Sequence, residues 1–285
     1  MQQKTIKHTI SCFGIGVHSG KPTSISLYPA PENTGVVFIR TDIKNKNNKI
    51  SAKYSNVSKT TLGTTIQNQD GVEIATIEHL MAALWGCDID NVFVELDGSE
   101  IPIMDGSSEP FIFMIECAGT KDLDAPRKYI EILKEIHVED KNSFATISPA
   151  NHFSVDMEIK FDNKTINSQI YHFSEEEKSF KHNIARARTF GFEHEGELLK
   201  QMGLAKGASL ENAIVLRGET ILNDTGLRYK DEFVRHKLLD LIGDVYLAGS
   251  PLKCHIKTFK PGHTINNKLL HAIFSDNSAW RVACD

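Results

Sequence analysis

The run His236-Lys-Leu-Leu-Asp-Leu-Ile-Gly-Asp244 constrains this chain more than any other. At about 100° per residue, Val234, Leu238, Leu241, Ile242 and Val245 make one apolar helix face. His236, Asp240 and Asp244 form a row on the opposite face, with successive Cβ atoms about 5–6 Å apart. A histidine on the apolar stripe would be an ordinary core residue, but His236 lies on the wrong side for that. The helix must bury one face in its own half of the protein. It offers a His-x-x-x-Asp pair, able to share one metal ion, to something else.

Thr76-Ile-Glu-His-Leu-Met-Ala-Ala-Leu-Trp-Gly86 supplies the complement. It reads as a short helix with Thr76 as N-cap and Gly86 as stop signal. Ile77, Leu80, Met81 and Leu84 make its core stripe. His79 shares the other face with Ala82, Ala83 and Gly86, small residues that suit close approach by a second helix. The helix carrying His236 and Asp240 is the natural partner. His79, His236 and Asp240 make a two-His, one-carboxylate set with a fourth position open to water, the composition of a catalytic zinc site. Glu78 flanks one ligand without being a ligand, the place of the general base in hydrolytic zinc sites. Each piece alone is ordinary. A glutamate at a helix start favours the N-terminal dipole, and His-x-x-x-Asp pairs are mostly surface hydrogen bonds or ion pairs. Their combination on complementary helices points to a metal.

A length of 285 residues allows one large domain or two of about 140. With 40% hydrophobic and 24% charged residues, a sizeable core is expected. The net charge of −5 gives no reason to expect a nucleic-acid partner. Five scattered cysteines without a Cys-x-x-Cys pair argue for reduced thiols, and against a disulfide framework or a cysteine zinc site. The segment Met1–His8 lacks an apolar signal region, and the apolar stretch around Phe111–Ile115 is far too short to span a bilayer. A soluble, cytoplasmic protein with no integral membrane segment is expected. An amphiphilic substrate stays open.

Strand patterning marks Thr5–Cys12, Thr23–Pro29, Gly35–Arg40 and Asn91–Leu96, with a polar loop at Thr41–Lys49 and an apolar helix at Glu109–Cys117. The charged, proline-containing Lys121–Arg127 is the best boundary. Beyond it, Lys128–Val138, Ser143–Ser148 and Phe153–Phe161 read as strands, and Ser174–Thr189 begins as a helix. An amphipathic helix at Glu195–Met202 precedes a Gly-rich passage, Gly203–Gly207, and a strand at Ala213–Leu216. After the 236–244 helix come a strand at Lys253–Lys260 and a helix at Thr264–Phe274. Both halves run strands first, then helix–strand–helix. That hints at duplication, although identity between the halves is too low to call a repeat. Gly14-x-Gly16-x-x-x-Gly20 lacks the dinucleotide spacing and reads as a glycine-rich turn; His18 within it could sit near a site.

Six motifs together carry a resemblance: Ile77-Glu-His-Leu, Ile101-Pro-Ile-Met-Asp-Gly-Ser107, Ala187-Arg-Thr-Phe190, Gly226-Leu-Arg, Phe233-Val-Arg-His-Lys-x-x-Asp-x-x-Gly-Asp244 and Gly262-His-x-x-Asn-Asn-Lys268. From about Lys4 to Ala279 the chain resembles the UDP-3-O-acyl-N-acetylglucosamine deacetylases, zinc amidases of lipid A synthesis in Gram-negative bacteria. The resemblance implies an α+β fold of two α/β sandwich domains, 1–125 and 126–285, with the site at their interface. It implies His79, His236 and Asp240 as zinc ligands, Glu78 as general base, and His263 as general acid with Asp244 as its carboxylate partner. Thr189 would bind the developing oxyanion and Lys237 would be a cationic neighbour of the substrate. Phe190 and Phe161 would be aromatic contacts, and Lys260 would meet the diphosphate. An insert near 190–216 would take the acyl chain, although Leu198, Leu199, Met202 and Leu204 read equally well as core.

Two positions depart from the family's pattern. Gly63 stands where relatives often carry a cysteine that can approach the metal, and Ser143 where some use a lysine near the nucleotide. The implied substrate is a UDP-linked, 3-O-acylated glucosamine, and a monomer is expected. The alternatives are an amidase of the same fold acting on another acylated sugar, and a non-catalytic binding module. The latter would need neither Glu78 nor His263.

Overall fold

The computed structural model describes residues 1–177 and 179–284; Lys178, inside the segment read as helical from Ser174, and Asp285 lie outside the described residues. Among the described residues there are six α-helices: α1 Glu78–Gly86, α2 Glu109–Ala118, α3 Phe180–Asn183, α4 Glu193–Gln201, α5 Glu232–Val245 and α6 His263–Phe274. The chain is an α+β protein in which two sheets share one topology.

The first sheet runs, in spatial order, Ile10–Ile15, Pro22–Pro29, Val92–Leu96, Val36–Arg40 and Lys49–Ser51. Its central strand follows α1 in the chain, lies antiparallel to Pro22–Pro29 and parallel to Val36–Arg40. The second sheet repeats this arrangement with Ile136–Asp140, Ser143–Pro149, Leu252–Phe259, Ser154–Lys160 and Ser168–Ser174. There the central strand follows α5, again antiparallel to one neighbour and parallel to the other. Parallel neighbours need a long crossover, and the crossover carries α1 in one half and α5 in the other. The second sheet is extended by Lys128–Ile132 and Trp280–Cys284. The two halves, similar in element order, thus also match in strand order and direction.

Alternation explains the strands. Ile25 and Leu27 are fully buried while Ser24 is exposed, and Val92, Val94 and Leu96 are buried while Phe93 and Glu95 stay half-exposed. The buried faces meet helices: α2 lies against the first sheet, α5 and α6 against the second, and α1 packs between α2 and α5. Being gripped from both sides, α5 is buried along its length except at Arg235 and Lys237. Among the described residues no helix is long and apolar enough to cross a membrane.

Several local expectations need correction. Thr76 does not cap α1: it sits in the left-handed region at φ 59°, and its hydroxyl donates to Glu100. Ala82 and Ala83 are fully buried, but Gly86 faces Phe180, whose ring a β-carbon there would meet at 2.3 Å. The boundary segment Lys121–Arg127 is mostly strand, Thr120–Pro126 pairing with Gln2–Ile6. Thr5–Cys12 is broken by a bend into two strands, and Lys128–Val138 likewise. Among the described residues of Ser174–Thr189, helix is found only at Phe180–Asn183, since Ser174 ends a strand paired to Ser154–Lys160.

The insert near 190–216 folds on its own small sheet, Phe190–Phe192, Ile214–Arg217 and Thr220–Ile221. Helix α4 buries no residue; Leu198 is 59% and Met202 63% exposed, so these two are not core. The glycine-rich turn at 14–20 docks here. Gly207 donates to the Val17 carbonyl and Lys206 to that of His18, and a β-carbon at Gly207 would lie 2.3 Å from the Gly16 oxygen.

Candidate active site

Helices α1 and α5 bring His79, His236 and Asp240 together, all buried, with potential ligand atoms within 4.8 Å of one another. His236 Nδ1 lies 3.0 Å from the Ala187 carbonyl oxygen, which can only accept, so Nδ1 carries the hydrogen. Nε2 is left with its lone pair, 3.3 Å from Asp240 Oδ1. His79 Nε2 stands 3.5 Å from the same oxygen, its ring perpendicular to that of His236 at 5.0 Å between centroids. Burial pushes the His236 pKa down to about 3, so this imidazole is neutral. Burial opposes charge on Asp240, yet the Lys237 ammonium, 2.7 Å from Oδ2, holds its carboxyl well below the usual range. Among the described residues Asp240 Oδ1 has no hydrogen-bond donor and His79 Nδ1 has no partner. A lone pair and an anionic oxygen facing each other in a buried space repel; a shared cation turns that repulsion into attraction. The donor set of two imidazoles and one carboxylate therefore fits a divalent metal. The Ala187 carbonyl fixes the tautomer from behind, as outer contacts of metal-binding histidines do.

Beside this triad lies a second group. His263 opens α6, and its Nδ1 donates to Asp244 Oδ2 at 2.8 Å. Its Nε2 is turned to Glu78 Oε1, 3.8 Å away. Burial works against the charged imidazole, but Asp244 and Glu78 outweigh it and raise its pKa to about 9. Burial raises the Glu78 carboxyl above the ordinary range. Asn266 donates to Asp244 Oδ2 at 2.9 Å, Thr64 Oγ1 to Asp244 Oδ1 at 2.6 Å, and the Thr64 N–H to Glu78 Oε2 at 2.9 Å. Position 63 faces the same carboxylate: a β-carbon on Gly63 would stand 3.0 Å from Glu78 Oε1.

The remaining candidates are distributed around this centre. Thr189 stands between two residues that touch His236, Ala187 through its carbonyl and Phe190 through its ring at 6.3 Å. Its backbone N–H donates to Gly106 of the 101–107 motif. Gly106 has φ 85° and lies so close to Asn212 that a β-carbon would come within 2.1 Å of that residue's oxygen, which fixes the motif against the insert. Phe161 meets Phe190 edge-on at 5.6 Å, and the Lys237 ammonium lies 5.7 Å over Phe190. Lys237 is not a free cation: it donates to Asp240 Oδ2 at 2.7 Å. Lys260 follows the end of the central strand at φ 49°, three residues before His263, with its ammonium over Phe259. Ser143 merely opens the strand Ser143–Pro149. His18 is close by, its Nε2 3.1 Å from the Leu62 carbonyl. Ala187, Thr64 and Asn266 were not identified individually from sequence. Ala187 and Asn266 lie inside the quoted motifs and Thr64 beside Gly63, but their contacts join distant segments.

The model of the family described as UDP-3-O-acyl N-acetylglycosamine deacetylase matches residues 3–275. The UDP-3-O-acyl-N-acetylglucosamine deacetylase of Phenylobacterium zucineum (strain HLK1) is 46% identical over 282 residues, 99% of this chain and 96% of that one. The protein of the same name from Pseudomonas entomophila (strain L48) is 46% identical over 284 residues, 99% of this chain and 93% of that one. With the match running through α1, α5 and α6 alike, the chain belongs to the UDP-3-O-acyl N-acetylglycosamine deacetylase family.

Proposed function

We propose that this chain hydrolyses the 2-acetamido group of a UDP-linked N-acetylglucosamine bearing a 3-O-(3-hydroxyacyl) chain, releasing acetate, as a step of lipid A biosynthesis. The observation that carries this reading is the convergence of Glu78 and the His263–Asp244 pair beside the three candidate ligands. A binding module has no use for a buried acid and base facing each other at 3.8 Å.

His79, His236 and Asp240 would hold the metal, proposed to be zinc. When bound there, it would supply Lewis acidity, lowering the pKa of a water and polarising the amide carbonyl. Glu78 takes the proton of the attacking water. The Thr189 hydroxyl donates to the carbonyl oxygen as negative charge develops on it. His263, protonated at Nε2 and held through Nδ1 by Asp244, gives its proton to the departing nitrogen, so the C–N bond breaks to a neutral amine instead of an amide anion. Lys237, Phe190, Phe161 and Lys260 are proposed substrate contacts.

The proposed division is 1–125 and 126–285, each built on one of the twin five-strand arrangements. The insert near 190–216 is proposed to receive the acyl chain, on the strength of the apolar residues that α4 leaves uncovered. A monomer working in the cytoplasm completes the proposal. It is tested by measuring the metal content of the purified protein together with mass-spectrometric detection of acetate released from the acylated sugar nucleotide. About one divalent ion per chain with stoichiometric acetate is expected; no acetate from metal-loaded protein would overturn it.

A further inference from the structure

Thr64 touches both halves of the proton machinery at once. Its N–H donates to Glu78 Oε2 at 2.9 Å, and its carbonyl accepts the Ile77 N–H at 3.3 Å, so one residue brackets the start of α1. Its hydroxyl donates to Asp244 Oδ1 at 2.6 Å and lies 3.3 Å from His263 Nδ1. The single hydroxyl proton goes to the carboxylate, the nearer and acceptor-only partner. That leaves the His263 Nδ1 hydrogen for Asp244 Oδ2. Thr64 is 2% exposed, so no water can replace these bonds without opening the site.

We infer that Thr64 is a positioning residue that locks base and acid into one frame, holding Glu78 through its backbone and Asp244, hence His263, through its hydroxyl. The inference rests on the roles given above to Glu78, Asp244 and His263. With Oε2 of Glu78 tied to the Thr64 amide, Oε1 is the oxygen left facing His263 Nε2. Asp244 has each oxygen assigned, Oδ1 to Thr64 and Oδ2 to His263 and Asn266, so its carboxylate plane cannot turn. Without the hydroxyl, Oδ1 becomes a buried, unpartnered acceptor. The carboxylate then gains by rotating, and the imidazole follows it.

The test uses the metal-loaded full chain and the acylated sugar nucleotide. Thr64→Val keeps shape and backbone but loses the hydroxyl, Thr64→Ala loses both shape and hydroxyl, and Thr64→Ser keeps the hydroxyl. Removing one donor from a buried, hydrogen-bonded carboxylate typically costs about 10–100-fold. Thr64→Val and Thr64→Ala are expected to lose kcat in that range with KM within about twofold and metal content unchanged, while Thr64→Ser stays within about threefold of wild type. On an Asp244→Asn background, Thr64→Val should cost little more, because groups acting as a unit are not additive. Wild-type kcat in either hydroxyl-free variant overturns the inference, as does a Thr64→Ser loss equal to that of Thr64→Val. If Thr64→Val does not fold, Thr64→Ala and Thr64→Ser decide by the same criteria. Glu78→Gln and His263→Gln are run alongside. If those two keep full turnover, the assigned roles fail; if they lose it and Thr64→Val does not, the positioning inference alone fails.

Discussion

A β-carbon on Gly243 would lie 2.1 Å from the carbonyl oxygen of Glu78. Helices α1 and α5 therefore touch backbone to backbone, one residue before Asp244 on one side and one before His79 on the other. That contact sets how far His79 of α1 stands from His236 and Asp240 of α5. Gly243→Ala cannot be absorbed by rotating a side chain, because the obstacle is main chain. Overpacking typically costs about 1–3 kcal/mol, and here the cost falls on the metal geometry as well. The variant is expected to melt several degrees lower and to retain metal poorly. An alanine variant with unchanged Tm and metal content would show that the helices can part freely.

The metal assignment has its own test. Wild type should bind about one divalent ion per chain, and His79→Ala, His236→Ala and Asp240→Ala should each reduce occupancy sharply in elemental analysis. Because Asp240 Oδ1 and the neutral His236 face each other within 3.3 Å, stripping the metal should also lower Tm by restoring that repulsion. Full occupancy in all three variants would remove the site.

The pH dependence follows from His263. Its pKa in the folded protein, about 9, lies above the ordinary histidine value of about 6.5. A raised pKa means that the charged form is favoured by folding. The stabilisation is complete below about pH 6.5 and disappears as pH rises through about 9. In metal-free protein, NMR titration should find His263 still protonated at about pH 8; titration near 6.5 would refute the pairing with Asp244. A bound dication pushes this value down, so the basic limb of the activity profile should lie below it. That limb should vanish in His263→Ala and the acidic limb in Glu78→Ala, each with about 10²–10⁴-fold loss of turnover.

What could be read in advance depended on range. The clustering of His79, His236 and Asp240, with Glu78 beside them, was legible because a helical row and an adjacent pair are local patterns. Long alternating strands such as Pro22–Pro29 and Leu252–Phe259 were legible for the same reason. The strands Val57–Lys59, Thr65–Gln67 and Glu73–Ile74 are too short for a period to emerge. Thr64 meets Asp244 across 180 positions, and no local pattern records such a contact. Thr76 looked like a cap because capping chemistry is encoded in residue type, whereas Glu100, its actual partner, is set by the tertiary fold.

Gly63 sits where any side chain would confront Glu78, the proposed base. A methyl there would stand 3.0 Å from Glu78 Oε1, the oxygen turned towards His263. Its φ does not lie in the left-handed region, so Gly63→Ala is strained by contact and not by backbone. Turnover is expected to fall with folding and metal content intact. If Gly63→Ala matched wild type in kcat, Glu78 would have to be free to shift without consequence for proton transfer.

The acyl-chain reading can be tested where the insert leaves apolar surface uncovered. Leu198 on α4 and Met202 just past its end are one turn apart and more than half exposed, so replacing them should not unfold the protein. Gly207 is unsuited to the purpose: a side chain there would strike the Gly16 carbonyl and break the insert away from its docking turn. Each methylene buried on binding is worth about 0.8 kcal/mol, so covering even two or three against this stripe is worth more than tenfold in affinity. Leu198→Asp and Met202→Asp are therefore expected to lower kcat/KM for the 3-O-acylated substrate by about tenfold or more, while leaving a chain-free analogue unaffected. Wild type should turn over that analogue far less efficiently than the acylated substrate. Equal efficiency on the two substrates in the wild type would mean that the insert does not receive the chain, even with the metal and its acid–base pair correctly assigned.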